Sequence, residues 1–151
     1  MSLRSSFGAF LKAPSARRRL VLEAVVELAL ARLLTLMPAR VYTRALGRVA
    51  AAGEESPAGC PPVAGEIGRM VERVAAAIPL RARCLEQAIA ARRMLRRRGL
   101  PATVCLGVNR EASARADPRA GEAAHAWVSV GREVVAGDAD LARFAVVARF
   151  R

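Results

Sequence analysis

A change of hydrophobic period at residues 96–101 constrains this chain more than any other feature. Upstream, apolar residues recur at helical spacing: Ile67, Met70, Val71, Val74 and Ile78, then Leu85, Ile89, Met94 and Leu95. The helical pattern ends in Arg96-Arg97-Arg98, then Gly99, Leu100 and Pro101. Cations suit the negative C-terminal pole of a helix, glycine supplies a left-handed cap, and proline bars continuation. Downstream the pattern alternates. Ala102, Val104, Leu106 and Val108 make one face of a strand. Ala124, Ala126, Val128 and Val130 make one face of another, with His125, Trp127 and Ser129 on its reverse. Helices first and an antiparallel meander afterwards predict an α+β fold.

The same signals place the remaining elements. Helices are expected over 17–36, stopped by Pro38, and over 40–52, ended by Gly53. Two more are expected over 63–77, stopped by Pro79, and over 84–98. Strands are expected over 102–108, 123–130 and 133–136, with 141–151 a last strand or turn against the core. Residues 53–62 and 109–122 read as loops. A chain of 151 residues suits one core. With 54% hydrophobic residues but only 4% aromatic, aliphatic side chains and alanine must fill it. Residues 1–55 read as a basic helical segment that docks a partner or supports the core, and 56–151 as the domain that carries chemistry.

Net charge is +12, and Lys12 is the only lysine. Residues 1–50 hold nine basic and two acidic side chains, whereas residues 101–151 hold seven and six. The basic character therefore sits on the helical part, where it raises the local concentration of anionic partners or simply keeps the surface solvated. Aromatics are not interleaved with the arginines and no nucleic-acid motif is present, so no nucleic acid is expected. The apolar run at 20–37 contains Glu23, Glu27 and Arg32, which argues against a spanning helix or a signal h-region. It reads as an amphipathic helix; membrane contact is not expected, and the location is expected to be cytoplasmic.

Three cysteines, Cys60, Cys84 and Cys105, argue against a disulfide framework, and no Cys-x-x-Cys pair suggests zinc. No cofactor is expected. His125 is the sole histidine, so the chain holds at most one histidine-based centre. Cys84 stands where a helix begins, close after Arg81 and Arg83. A helix N-terminus and nearby cations both favour a thiolate, and first-turn N–H groups can stabilise an oxyanion. Asp138 closes the strand after the one bearing His125, within reach to orient the imidazole; Asp140 competes for that role. Each residue also has a bland reading. Cys84 can be a small apolar helix residue, His125 a satisfied strand histidine, Trp127 core, and Asp138 a turn former. Cys105 reads as buried packing and Cys60 as incidental.

Several words together carry a resemblance. Cys84-Leu85-Glu86-Gln87-Ala88 with Met94-Leu95-Arg96-Arg97-Arg98-Gly99-Leu100-Pro101-Ala102 resembles the nucleophile helix of the leader peptidases of lasso-peptide biosynthesis. Leu106-Gly107-Val108 resembles their next strand, Ala124-His125-Ala126-Trp127-Val128 their histidine strand, and Val135-Ala136-Gly137-Asp138 their acid strand. The resemblance covers residues 79–150 and, more loosely, the basic Leu-rich helix before them. It implies a papain/transglutaminase-like cysteine protease with Cys84 as nucleophile, His125 as base and Asp138 as orienting acid. Trp127 and Gln87 become candidate substrate contacts. The implied substrate is a ribosomally made precursor peptide, whose freed amine a separate ATP-dependent macrolactam synthetase would close. The residues before the domain show no winged-helix pattern, so the implied leader-recognition element is a separate small protein. Two alternatives are another transglutaminase-like hydrolase or acyl transferase, and a non-catalytic basic module that binds an anionic peptide, nucleic acid or membrane.

Overall fold

The structure is a computed structural model that describes residues 14–51, 59–78, 82–110, 123–138 and 140–151. Four helices precede four strands: α1 (Ser15–Thr35), α2 (Ala39–Leu46), α3 (Pro62–Ala77), α4 (Cys84–Arg97), β1 (Thr103–Asn109), β2 (Ala124–Val130), β3 (Glu133–Ala136) and, after a short 3-10 turn (Leu141–Arg143), β4 (Phe144–Phe150). The α+β class expected from the period change is the class observed. Among the described residues no helix is long and apolar enough to cross a membrane.

The sheet is antiparallel throughout, in the order β3-β2-β1-β4. Its first three strands form the expected meander. The tail is a full strand, and it pairs with β1 rather than with its sequence neighbour β3. The β1–β4 register shifts between Leu106 and Gly107, where Ala148 pairs with Leu106 and Val146 with Gly107. The bulged residue between them turns one end of β4 over. Phe150 consequently joins the core under the helices, while Phe144 joins Cys105 and Trp127 on the opposite face.

The second helix is shorter than the expected 40–52. It ends at Leu46, capped by Gly47 at φ +100°. Tertiary pairing takes over there. Arg48 N–H donates to Arg151 O at 2.8 Å, Arg151 N–H returns the bond to Arg48 O at 2.8 Å, and Ala50 N–H donates to Arg149 O at 2.8 Å. Residues beyond Leu46 exchange helix bonds for an edge bridge to β4.

Helices α3 and α4 cover one face of the sheet, and α1 lies across both. Ala24, Leu28 and Ala31 from α1 and Leu46 from α2 share one buried cluster with Ile67, Val71, Ile89, Met94, Val104 and Val128. The two N-terminal helices are thus part of the same core as the sheet. The buried face of helix α1 is not purely apolar. Glu27 is fully buried and ion-paired to Arg93 and Arg97 of α4, and Glu23 pairs with Arg97 and Arg98. Leu22, Val26, Leu30 and Leu33 are exposed instead.

Packing of α3 on β3 is unusually close. A Cβ on Gly68 would sit 1.5 Å from the Val135 carbonyl oxygen, so only glycine fits there. At Gly65, one turn earlier, the nearest atom is the flexible end of Arg69 at 3.2 Å. Gly68→Ala is therefore expected to lower stability by about 1–3 kcal/mol through overpacking. Gly65→Ala is expected to be neutral or to stabilise by up to about 1 kcal/mol through helix propensity. Urea unfolding midpoints of the two variants check the contrast.

Candidate active site

Cys84 is the first residue of α4 and is half-buried against the core. Arg83 before it is extended, with φ −77° and ψ 168°. Glu86 fixes this turn. Its Oε2 accepts the Arg83 N–H at 2.6 Å, while Oε1 accepts Arg32 Nη1 at 2.7 Å and Thr35 Oγ1 at 2.9 Å from α1. Glu86 is 2% exposed. Burial alone would raise its carboxyl pKa, but Arg32, the Arg83 N–H and Thr35 together hold it below the ordinary carboxylate value. The first-turn N–H groups of a helix have no acceptors within it, so this end of α4 offers donors beside the Cys84 thiol. Gln87 Nε2 donates to Ala82 O at 2.9 Å and helps shape the approach to the helix.

His125 is half-buried near the start of β2. Its ring stacks on Trp127 at a centroid distance of 6.1 Å and tilts against Phe144 at 5.2 Å. Trp127 is 6% exposed, so the indole acts as a packed wall for the imidazole. Phe144 reaches this face only because of the β4 bulge. His125 Nε2 lies 2.9 Å from Gly137 O. A carbonyl oxygen only accepts, so Nε2 carries the proton and the neutral ring presents Nδ1 as its lone pair. That tautomer suits a base whose working nitrogen is Nδ1.

Gly137 has φ +78°, and a Cβ there would meet Ala126 O at 2.8 Å and Trp127 Cα at 3.0 Å. Only glycine can turn its carbonyl toward His125 in that space. Its N–H donates to Glu72 Oε1 at 2.8 Å. A chain therefore runs from Glu72 on α3, through the N–H and C=O of Gly137, to His125. Asp138, next in sequence, is exposed and makes no hydrogen bond to His125. Asp140 heads the 3-10 turn, where its carbonyl accepts the Arg143 N–H at 3.1 Å.

Topology sets these parts at one end of the domain. Five residues separate the end of α4 from β1, which runs back, and β2 returns antiparallel to it. Helix α4, with 14 residues, and β1, with seven, are both about 21–23 Å long. The Cys84 end of α4 thus lies with the start of β2 and the end of β3, which carry His125 and Gly137. Cys84 and His125 are not hydrogen-bonded to each other in the structure. The other cysteines stand apart. Burial, and then Glu133, raise the Cys60 thiol pKa. Cys105 is 6% exposed, and burial raises its thiol pKa against the opposing pull of Arg149 and Ser129. Among the described residues no group of three or more His, Cys, Asp or Glu side chains could hold a metal ion.

Sequence reasoning singled out Cys84, His125 and Asp138 but missed Glu72 and the Gly137 carbonyl. Glu72 lies off the apolar stripe of its helix and carries no signal in a single sequence. Glycine directly before an acid at a strand end was the only cue to Gly137.

A helix that starts with cysteine packs on an antiparallel sheet whose second strand bears the histidine. The family model described as the transglutaminase-like superfamily matches residues 20–149, and the chain belongs to that superfamily. The superfamily includes cysteine peptidases and acyltransferases. The match begins inside α1, so it takes in the N-terminal helices as well as the sheet. No curated protein and no solved structure matches the chain.

Two outcomes test this geometry. With one histidine, ring nitrogen shifts are assignable without mutation. Wild type should show the Nε2–H tautomer of the neutral ring by 15N NMR. Glu72→Ala should mix the tautomers, and Glu72→Gln, which keeps an acceptor oxygen, should restore it; an unchanged Glu72→Ala spectrum would remove Glu72 from the chain. The second outcome concerns acid. Because the folded Glu86 pKa is lowered, its stabilisation is fully present above the ordinary carboxylate value of 4.5 and is lost as pH falls through the lower folded value. Thermal unfolding of wild type should therefore steepen below about pH 4.5, whereas Glu86→Gln should start lower at neutral pH and decline less.

Proposed function

We propose that this chain is a cysteine peptidase that removes the leader from a ribosomally made lasso-peptide precursor. The observation that carries the catalytic part is the hydrogen bond from His125 Nε2–H to Gly137 O, which leaves Nδ1 as the basic nitrogen on a strand that starts at the same end of the domain as Cys84. Membership of a superfamily that includes cysteine peptidases supports the reaction class. The leader-peptidase part rests on the resemblance of the words around Cys84, His125 and Asp138.

In this reading the Cys84 thiolate attacks the carbonyl at the leader–core junction. Its oxygen becomes an oxyanion held by first-turn N–H groups of α4. As the C–N bond breaks, the His125 imidazolium gives its Nδ1 proton to the leaving amine. A water then attacks the thioester and passes a proton back to Nδ1. The C–S bond breaks, releasing the leader as a carboxylic acid, which loses its remaining proton to solvent, and restoring the thiolate–imidazolium pair. Asp138 orients His125 from beside Gly137, either directly once substrate is bound or by strengthening the polar surroundings of that peptide. Apo geometry at such sites is commonly loose and tightens in the substrate complex. An acyl transferase of the same superfamily would share the first half and differ only in replacing water by an amine.

The partners of this reading are the precursor peptide, a separate small leader-recognition protein and an ATP-dependent macrolactam synthetase that closes the freed amine onto an acidic side chain. The apolar stripe Leu22, Val26, Leu30 and Leu33 on α1, continued by Leu36 and Met37, offers a surface to one of the two proteins. The test is a mass-spectrometric cleavage assay with a co-encoded precursor and the small neighbouring protein. Wild type should cut at one site. Cys84→Ala and His125→Ala should each lose about 10⁴-fold or more, because the two act as a unit. Asp138→Asn should lose less. Iodoacetamide should label Cys84 before Cys60 and Cys105, whose thiols are raised by burial, and labelling should track the loss of cleavage. Turnover that survives in Cys84→Ala would overturn the reading.

A further inference from the structure

Four arginines between α1 and α4 have a carboxylate partner: Arg32 with Glu86, Arg93 with Glu27, Arg97 with Glu27 and Glu23, and Arg98 with Glu23. Arg92 and Arg96, also on α4, have none among the described residues. Arg92 is 7% exposed, and although its Nη1 donates to Ala45 O at 3.1 Å, its buried Nε has no hydrogen-bond partner. Both arginines line a cavity of about 210 Å³, together with Arg48, Arg151, Leu100 and Pro101, and no Asp or Glu side chain is in its wall. The cavity lies at the C-terminal end of α4, the far end from Cys84.

From these observations we infer that the cavity is a binding site for a small phosphate-type anion, held by the guanidinium groups of Arg92 and Arg96. Size and charge decide the ligand class. Pockets for drug-sized molecules start at about 300 Å³, so this one suits a compact group. Guanidinium forks match tetrahedral oxyanions with two parallel N–H···O bonds, and several forks can share one phosphate. A monocarboxylate would neutralise only one of the two charges of Arg92 and Arg96. Burial, and behind it the charge of Arg96, pull the Arg92 pKa below the ordinary arginine value, so the neighbouring cations repel one another and a multiply charged anion relieves that repulsion. The site stands independently of any reaction at Cys84.

Calorimetric titration of the full chain with inorganic phosphate, against chloride at matched ionic strength, is the test. Phosphate should bind with one saturable site. Arg96 is exposed, so Arg96→Gln should fold normally and weaken phosphate by about tenfold, the equivalent of one charged hydrogen-bonded contact. Arg73→Gln, at an exposed position on α3, should bind as wild type does. Succinate should bind at least about tenfold more weakly than phosphate. No saturable binding above chloride would overturn the site. Equal losses in Arg96→Gln and Arg73→Gln would reduce it to diffuse surface charge, and succinate binding as tightly as phosphate would overturn the ligand class.

Discussion

Helix α4 is pinned to α1 at both ends by carboxylates, and the positions of the other parts follow from that clamp. At its start, Glu86 reaches back to the Arg83 N–H and across to Arg32 and Thr35. Toward its end, Glu23 and Glu27 of α1 hold Arg93, Arg97 and Arg98. Removing one partner of a buried pair is costly, because the other charge is left without compensation. The clamp therefore fixes both the rotation of α4 and its axial position against α1. Rotation decides which side chains of α4 meet β2. Axial position decides where Cys84 stands relative to the ends of the strands.

From the other side of the sheet, the histidine is held by backbone rather than by a second acid. Gly137 can offer its carbonyl to His125 only because a positive φ turns the peptide and because no Cβ intrudes on Ala126 and Trp127. Glu72 holds the amide end of the residue that offers this carbonyl, and Gly68 lets α3 come close enough to β3 for Glu72 to reach. Two glycines and one glutamate thus set the tautomer of a ring three elements away. A peptide carbonyl gives direction without adding a full charge. In the proposed reaction the charge would come from Asp138, one residue further on, as substrate excludes water.

The sequence made the class of the fold legible because the two periods are physically exclusive: Ile67 to Ile78 cannot alternate, and Ala102 to Val108 cannot wind with one buried face. It also put Cys84 at a helix start and Cys105 in packing, since both follow from local pattern. What escaped it was set by partners distant in sequence. Helix α2 stops at Leu46 because Arg48 and Ala50 bond to β4, a hundred residues later. The edge position of β4 and the side on which Phe144 lands depend on a bulge, which leaves no mark in composition. Glu27 was legible as a polar face but not as a buried one, because its solvation is replaced by arginines of another helix. The candidate site divides in the same way. Cys84 and His125 stand out by residue type and position, whereas Glu72 has meaning only once α3 is docked on β3.

The +12 charge takes on a different weight in three dimensions. Taken as a sum, it suggests a general attraction for polyanions. Arg32, Arg93, Arg97 and Arg98 are instead engaged by Glu86, Glu27 and Glu23, so the densest basic run of the sequence is largely internal cement between α1 and α4. Arg98 adds the helix-end role its position implies, with Nη1 donating to Met94 O at 2.9 Å. Arg96, the first member of that run, turns away from α1 and meets Arg92 over the cavity. One triplet therefore does two jobs because successive helical residues are about 100° apart and cannot share a partner. Selective recognition of an anion requires such a local, uncompensated pair, whereas the chain's total charge governs only its long-range attraction.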